Sequence, residues 1–348
     1  MWFDPMLEKN RIPDVLIRSG ARYMTNRRLK QIQSRPIEEQ QAYVNRYISH
    51  LKTQPIAIHT ADANEQHYEV PTAFFQQVLG PHMKYSCGYW DNAGGHNAPQ
   101  DPLERSEEAM LELTCQRAGL EDGQRILDLG CGWGSMALYM ARKYPAASIT
   151  AVSNSSTQKA YIDARAAAEN LTNLTVLTED INTFTHEEAF HRVVSVEMFE
   201  HMRNYEKLME KIADWILPEG QLFVHIFTHR STPYSYEIRN ESDWMARHFF
   251  AGGTMPSQDL LHYFCRHFSL EQQWALSGLH YTKTLEAWLQ RMDARKEAIM
   301  PIMAEIQGPE HALKWWVYWR VFFMACAEFF RFHKGNEWFI SHYLFSKK

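Results

Sequence analysis

Residues 125–158 read RILDLGCGWGSMALYMARKYPAASITAVSNSSTQ, and this stretch decides the fold. Ile126–Leu129 is a short apolar run broken by one acid, Asp128. Three glycines follow at alternate positions, Gly130, Gly132 and Gly134. A helical stretch, Ser135–Lys143, leads to a second apolar strand, Ser148–Val152. Strand, glycine turn, helix and strand make a βαβ unit with a ligand loop at the carboxyl end of its first strand. Glycines there let the backbone approach a ligand closely and present N–H groups at a helix N-terminus.

A dinucleotide site requires G-x-G-x-x-G and an acid about 20 residues further on. Here the spacing is G-x-G-x-G, and the second strand ends at Ser153-Asn154 without an acid. Taken alone, such a turn also serves as a tight bend with no ligand. The DLGCGWG heptad resembles motif I of the class I S-adenosylmethionine (SAM) methyltransferases, whose glycine loop packs against the methionine part of SAM. SNSSTQ resembles the variant in the cyclopropane-fatty-acid-synthase branch, where hydroxyl, backbone and Gln groups take the ribose side. These resemblances assign Asp128, Gly130, Gly132, Gly134, Ser153, Asn154 and Gln158 to the cofactor.

The 348 residues are 45% apolar, 13% aromatic and 22% charged, which suits a globular chain with a sizeable core. A net charge of −5 gives no reason to expect nucleic acid. Five scattered cysteines without C-x-x-C point to free thiols in a reducing compartment. MWFDPMLEKN lacks the apolar core of a signal peptide, and no apolar run approaches the ~20 residues of a spanning helix. A cytoplasmic protein is expected. The 17 histidines do not gather with Cys or Asp at ligand spacing, so no metal is expected.

Residues 1–60 read as a helical extension punctuated by Pro13, Pro36 and Pro55. Between Arg11 and Arg35 seven cations (Arg11, Arg18, Arg22, Arg27, Arg28, Lys30, Arg35) stand against one acid, Asp14. Such a segment is either a solvated helix face or a contact for an anionic surface such as a phospholipid membrane. Residues 61–348 read as one catalytic domain. Pro71 opens a helix that Gly80 ends, Asp91–Gly95 is a loop, and Pro102 begins a helix running to about Ala118.

After Ser148–Val152 the alternation continues with a helix over 156–169 and a strand over Thr175–Leu177. Val193–Val196 is the fourth parallel strand, and a Pro-Glu-Gly turn separates a helix end from the fifth, Leu222–Phe227. Leu270–Leu276 is a further strand. Residues 283–333 are helical and rich in aromatics, packed on the sheet or forming a lid, and the tail makes the final strand. The pattern is an α/β sheet covered by helices on both faces.

The fourth strand runs into EMFEH, placing Glu197, Glu200 and His201 where open α/β sheets bind ligands. Two carboxylates and an imidazole within five residues are costly to desolvate unless they act on something, although acids at a helix N-terminus are also favoured by its dipole. His225 lies inside the fifth strand, where a lone His is more often core than catalyst. Asp180, in Glu179-Asp180-Ile181 after the third strand, reads from its residues as a helix cap, while the resemblance to SAM methyltransferases implies an adenine-side acceptor.

The order YSCGYW, DLGCGWG, SNSSTQ, EMFEH, FVHIF, FAGGTMPS, HYTKT, YWRVFF over residues 64–348 resembles the plant coclaurine N-methyltransferase group of the cyclopropane-synthase superfamily. That group methylates benzylisoquinoline amines. The resemblance implies a Rossmann-like, seven-stranded, mostly parallel sheet with its last strand antiparallel, and SAM as methyl donor with S-adenosylhomocysteine as product. Tyr85 and Ser86 join the cofactor residues by this match, as do Asp180 and Ile181 on the adenine side and Glu197 near the methyl. Cyclopropane synthases hold bicarbonate in a cage matching Cys87, Glu200, His225 and Tyr281, and their N-methylating relatives keep those residues too. Glu197 discriminates, because many cyclopropane synthases carry a small residue there. In the N-methylating group the two acids and the His of ExxEH orient and deprotonate the amine, which makes Glu197, Glu200 and His201 the expected catalytic set.

An alkylammonium has no lone pair, so a carboxylate that attracts it and a neighbouring base that takes its proton suit amine methylation. Tyr68, Glu69, Cys87, His225, Phe227, Phe249 and Tyr281 are expected around the substrate; singly, the aromatic ones also read as core. The runner-up expectation is a cyclopropane-fatty-acyl-phospholipid synthase or lipid C-methyltransferase using bicarbonate, the only reading that calls for membrane contact. A SAM-binding scaffold without activity is a third. A small-molecule amine is the expected partner, with a homodimer allowed.

Overall fold

The computed structural model describes residues 4–58, 71–90, 100–187, 189–238 and 243–348. Tyr68, Glu69 and the expected Asp91–Gly95 loop lie outside them. Seven strands form one sheet: β1 (Arg125–Leu129), β2 (Ser148–Ser153), β3 (Leu174–Thr178), β4 (Phe190–Val196), β5 (Ile216–His229), β8 (Phe268–Leu276) and β9 (Trp338–Lys347). Their order is β3-β2-β1-β4-β5-β9-β8. The β1, β2, β3, β4 and β5 pairings are parallel, and β9 runs antiparallel to both neighbours. A two-stranded ribbon, β6 (Tyr234–Ser235) with β7 (Thr254–Met255), stands apart.

Helices cover both faces, so successive strand residues are buried alternately on opposite sides. Leu127, Val193, Leu222 and Val224 pack one face against Ile37–Thr53 and the amphipathic helix Tyr205–Trp215. Ile126, Val194 and Phe223 pack the other against Pro102–Arg117, Ser135–Lys143 and Ser156–Ala168. A third, aromatic core joins Phe74, Phe75 and Val78 to the C-terminal helices.

One local expectation differs from the structure. The Pro-Glu-Gly segment does not break the chain into a turn: β5 passes through it, and the register against β4 shifts between Phe190 and Arg192. Gly220 makes this bulge, since a Cβ there would lie 2.4 Å from Ile216 Cγ2. Residues 283–333, expected to be helical, fall in three helices, Gly278–Ala294, Lys296–Gln307 and Ala312–Gly335.

Part of the basic N-terminal segment is paired within the protein. Arg18 forks onto Glu286 (2.6 and 2.8 Å) and reaches Glu328 (3.1 Å), while Arg22 meets the other Glu328 oxygen (3.0 Å). Arg28 and Arg35 lie over the rings of Tyr234 and Tyr43. Three of the charges in the apolar helix Ala312–Gly335 meet the first two helices, Asp4–Glu8 and Asp14–Gln33. Lys314 pairs with Glu8, Arg320 with Asp14, and Glu328 with Arg18 and Arg22. Arg18 and Arg28 are half-buried in these contacts, whereas Arg11, Arg22, Arg27, Lys30 and Arg35 stay exposed, so the segment is a mostly solvated face tied down by a few internal partners.

Candidate active site

At the carboxyl end of β4 the backbone of Glu197 adopts a left-handed conformation (φ +49°), unfavourable for a residue with a Cβ. Its N–H donates to the His225 carbonyl (2.8 Å) on the adjacent strand. The turn aims the carboxylate into a ring of donors. Oε1 accepts from the Cys87 backbone N–H (2.9 Å) and lies 3.2 Å from His225 Nε2, and Oε2 accepts from the Tyr281 hydroxyl (2.6 Å). Burial pushes the Glu197 carboxyl up, opposed first by the nearby Lys84 ammonium. Burial and Glu197 together push the Tyr281 hydroxyl and the Cys87 thiol well up, so both keep their protons.

Glu200 and His201 follow in a short 3-10 turn, Phe199–His201. Glu200 is fully buried and neither carboxylate oxygen has a hydrogen-bond partner. Burial and then the Glu197 charge push it well above the carboxylate range, opposed by the Glu200 and Phe227 backbone. His201 is pushed down to about 4 by burial, against the pull of Glu197. Phe250, rather than Phe249, meets the His201 ring (5.0 Å) and faces Phe227 (5.9 Å). Phe249 is wholly buried, stacked on Phe322 at 4.4 Å in the helical core, which does not fit the expected substrate contact.

The glycine turn separates two clefts that share Gly130, Gly132, Gln158 and Glu197. One, of about 830 Å³, is lined by Ser153, Asn154, Asp180, Ile181 and His201 among others. The second, of about 610 Å³, is lined by Tyr85, Ser86, Asp128 and Trp133 among others. All three glycines have positive φ. A Cβ on Gly130 would strike Met198 Cγ at 2.4 Å, whereas one on Gly132 would meet nothing within 4 Å, because Gly132 faces the clefts. Ser153 Oγ donates to Gln158 Oε1 (2.6 Å), which leaves the buried Gln158 Nε2 without an acceptor. Asp128 Oδ2 is likewise buried and unpartnered, and burial raises that carboxyl to about 7. Orphaned donor and acceptor atoms beside an open glycine loop fit a ligand carrying hydroxyl and ammonium groups, as SAM does. Asp180 Oδ1 accepts from Asn182 N (2.8 Å) in a turn from which no helix starts, so the expected helix-cap role is absent and Asp180 lines the first cleft instead.

Several contributors escaped the sequence reading. Lys84 is buried beside Glu197, donating to Cys87 O (2.9 Å) and to Ser86 Oγ. A lysine inside the otherwise uncharged MKYSCGYW was its only signal. Thr284 Oγ1 accepts from Gly88 N (3.0 Å) and Trp90 Nε1 (2.9 Å), and His280 Nδ1 accepts from Trp90 N (2.9 Å). The HYTKT helix thus fastens the YSCGYW segment over the site. Met198, Ala251 and Gly252 also line the first cleft. Among the described residues one cluster has metal-ligand geometry, His82 with Glu104 and Glu108, partly exposed and not lining either cleft.

The reversed penultimate strand in sheet order, the glycine turn and the acid-lined clefts at the strand ends define a class I methyltransferase fold. Within that class the chain belongs to the mycolic acid cyclopropane synthetase family, whose pattern matches residues 57–338. It is 39% identical over 346 residues to (S)-coclaurine N-methyltransferase of Thalictrum flavum subsp. glaucum, covering 98% of this chain and 94% of that one. Cyclopropane-fatty-acyl-phospholipid synthase of Escherichia coli K12 is 33% identical over 230 residues, 65% of this chain and 55% of that protein. A crystal structure of coclaurine N-methyltransferase bound to N-methylheliamine and S-adenosylhomocysteine superposes with a TM-score of 0.89 at 35% identity, covering 99% of this chain and 98% of that one.

Proposed function

We propose that this protein transfers a methyl group from SAM to the amine nitrogen of a benzylisoquinoline-type alkaloid. The observation that carries the reading is the Glu197 carboxylate at the meeting point of the Cys87 N–H, His225 and Tyr281. Three of the four positions matched to a bicarbonate cage are occupied with a carboxylate of the chain itself, which argues against a bicarbonate-dependent lipid reaction. Full-length similarity to coclaurine N-methyltransferases, against partial similarity to the phospholipid enzyme, supports the same choice.

SAM supplies an electrophilic methyl on a sulfonium. Asp128, Gly132, Ser153, Asn154, Gln158, Asp180, Ile181, Tyr85 and Ser86 would hold it, with the orphaned Asp128 and Gln158 atoms gaining partners. Glu197, locked by its three donors, presents a fixed negative charge that draws in a cationic amine. Glu200, in its ionised form, is the proposed acceptor of the amine proton, since burial and the Glu197 charge raise its affinity for that proton. Burial lowers the proton affinity of His201, so the neutral imidazole orients the amine or relays its proton instead of holding it. Phe227, Phe250 and Tyr281 offer aromatic walls for a flat cation. No helix among the described residues is long and apolar enough to cross a membrane, and all five cysteines are free, which supports a cytoplasmic setting.

The test is methyl transfer from labelled SAM to secondary and tertiary isoquinolines, simple biogenic amines and unsaturated phospholipids. Label on isoquinoline nitrogen is expected. Label in lipid and none on nitrogen overturns the reading.

A further inference from the structure

A line of hydrogen bonds runs through the sheet to the site from a residue in none of the motifs. Arg117, the last residue of the helix Pro102–Arg117, places Nη1 2.8 Å from His342 Nδ1 on β9. His342 Nε2 lies 3.0 Å from His225 Nδ1 on β5, and His225 Nε2 lies 3.2 Å from Glu197 Oε1. His225 and His342 are direct cross-strand partners, and Trp274 of β8 stands opposite His342 on its other side. The Arg117 guanidinium rests over the Trp274 ring, 4.8 Å from its centroid. Three adjacent strands and one helix end therefore align the chain, with both imidazoles fully buried.

The polarity of this line is determined. A guanidinium has donors and no acceptor, so His342 Nδ1 must carry a lone pair. Burial, reinforced by the surrounding cations, holds both rings neutral. The single proton of His342 is then on Nε2 and is donated to His225 Nδ1. His225 in turn has its proton on Nε2, facing Glu197. Each ring fixes the tautomer of the next, as happens whenever the second nitrogen of an imidazole has a committed partner.

We propose that Arg117 and His342 are positioning residues that lock His225 as a donor to Glu197, keeping that carboxylate ionised and fixed in orientation. The role deepens the methyltransfer reading, but the tautomers are measurable without any substrate. With Arg117 absent, His342 can reverse, His225 can follow, and a lone pair then faces the Glu197 oxygen.

The experiment is long-range 1H–15N correlation on the full-length protein labelled with 15N-histidine, with His225 and His342 assigned by substitution. The parent is expected to show bare Nδ1 and protonated Nε2 on both rings. Arg117→Met and His342→Leu should lose that pattern at His225. His342→Gln should keep it, because a carboxamide accepts from Arg117 and still donates to His225. With an isoquinoline substrate, Arg117→Met and His342→Leu should lower kcat about tenfold, the loss of one hydrogen bond, with KM for SAM little changed and His342→Gln restoring most of it. A protonated Nδ1 on His225 in the parent overturns the proposal, whatever the variants do. So does an unchanged His225 signature in both disrupting variants. Intact tautomers without methylation of any amine would sink the reaction assignment alone.

Discussion

Tyr281 donates its hydroxyl to Glu197 Oε2 at 2.6 Å, across 84 residues of sequence, and so ties a C-terminal helix to the exit of the fourth strand. The Tyr281 ring is stacked on Phe330 (4.6 Å), which leaves the hydroxyl little freedom to turn away. Tyr281→Phe removes the donor and keeps the packing. A hydrogen bond to a charged group contributes about 1.5–3 kcal/mol, so kcat/KM for amine methylation should fall roughly tenfold to a hundredfold. Steady-state kinetics beside an unchanged melting curve checks this.

Glu200 and His201 separate by their proton affinities. Glu200→Gln removes the group proposed to take the amine proton and should lower kcat by about 10²–10⁴. His201→Gln should cost closer to tenfold, of order 1.4 kcal/mol. The reverse order, measured with both variants folded, would make the imidazole the acceptor.

Asp128 sets a pH dependence of stability. Its carboxyl is raised from 3.8 to about 7 in the folded protein, so the folded state binds the proton more tightly than the unfolded one. Its contribution is therefore whole below about pH 4 and is lost as pH rises to 7, at about 1.4 kcal/mol per pH unit. Asp128→Asn should flatten that part of the profile. Denaturant midpoints of parent and variant from pH 4 to 8 decide it.

The turn glycines should respond differently to alanine. Gly130→Ala forces a Cβ into Met198 as well as an unfavourable φ of +82°, and should lower the melting temperature clearly. Gly132→Ala meets no neighbour in the protein. It should cost about 1 kcal/mol from its backbone conformation and show its main effect as weaker SAM binding by calorimetry.

The N-terminal helices depend on a buried acid. The Glu328 side chain is 1% exposed and holds Arg18 and Arg22, with Arg331 at 3.9 Å. Replacing Arg18 and Arg22 together by Met leaves that carboxylate poorly compensated and should destabilise the protein by about 3 kcal/mol. Adding Glu328→Gln should recover much of the loss, as read by chemical denaturation.

The sequence by itself determined the alternation of strands and helices, the glycine turn after Leu129 and the placing of Glu197, Glu200 and His201 at a strand end. Each of these is written in neighbouring residues: apolar period, glycine spacing, and acids directly after a strand. Tertiary structure alone decided what those groups touch. Whether Phe249 or Phe250 faces His201 turns on one residue of phase in a short irregular segment. That Arg18 and Arg22 are paired with Glu286 and Glu328 depends on acids some 300 positions away. His225 meets His342 only because β5 and β9 run antiparallel in one register, and Arg117 reaches them only because a helix ends there. Local patterns carry no record of such register, because it is fixed by packing between segments far apart in the chain.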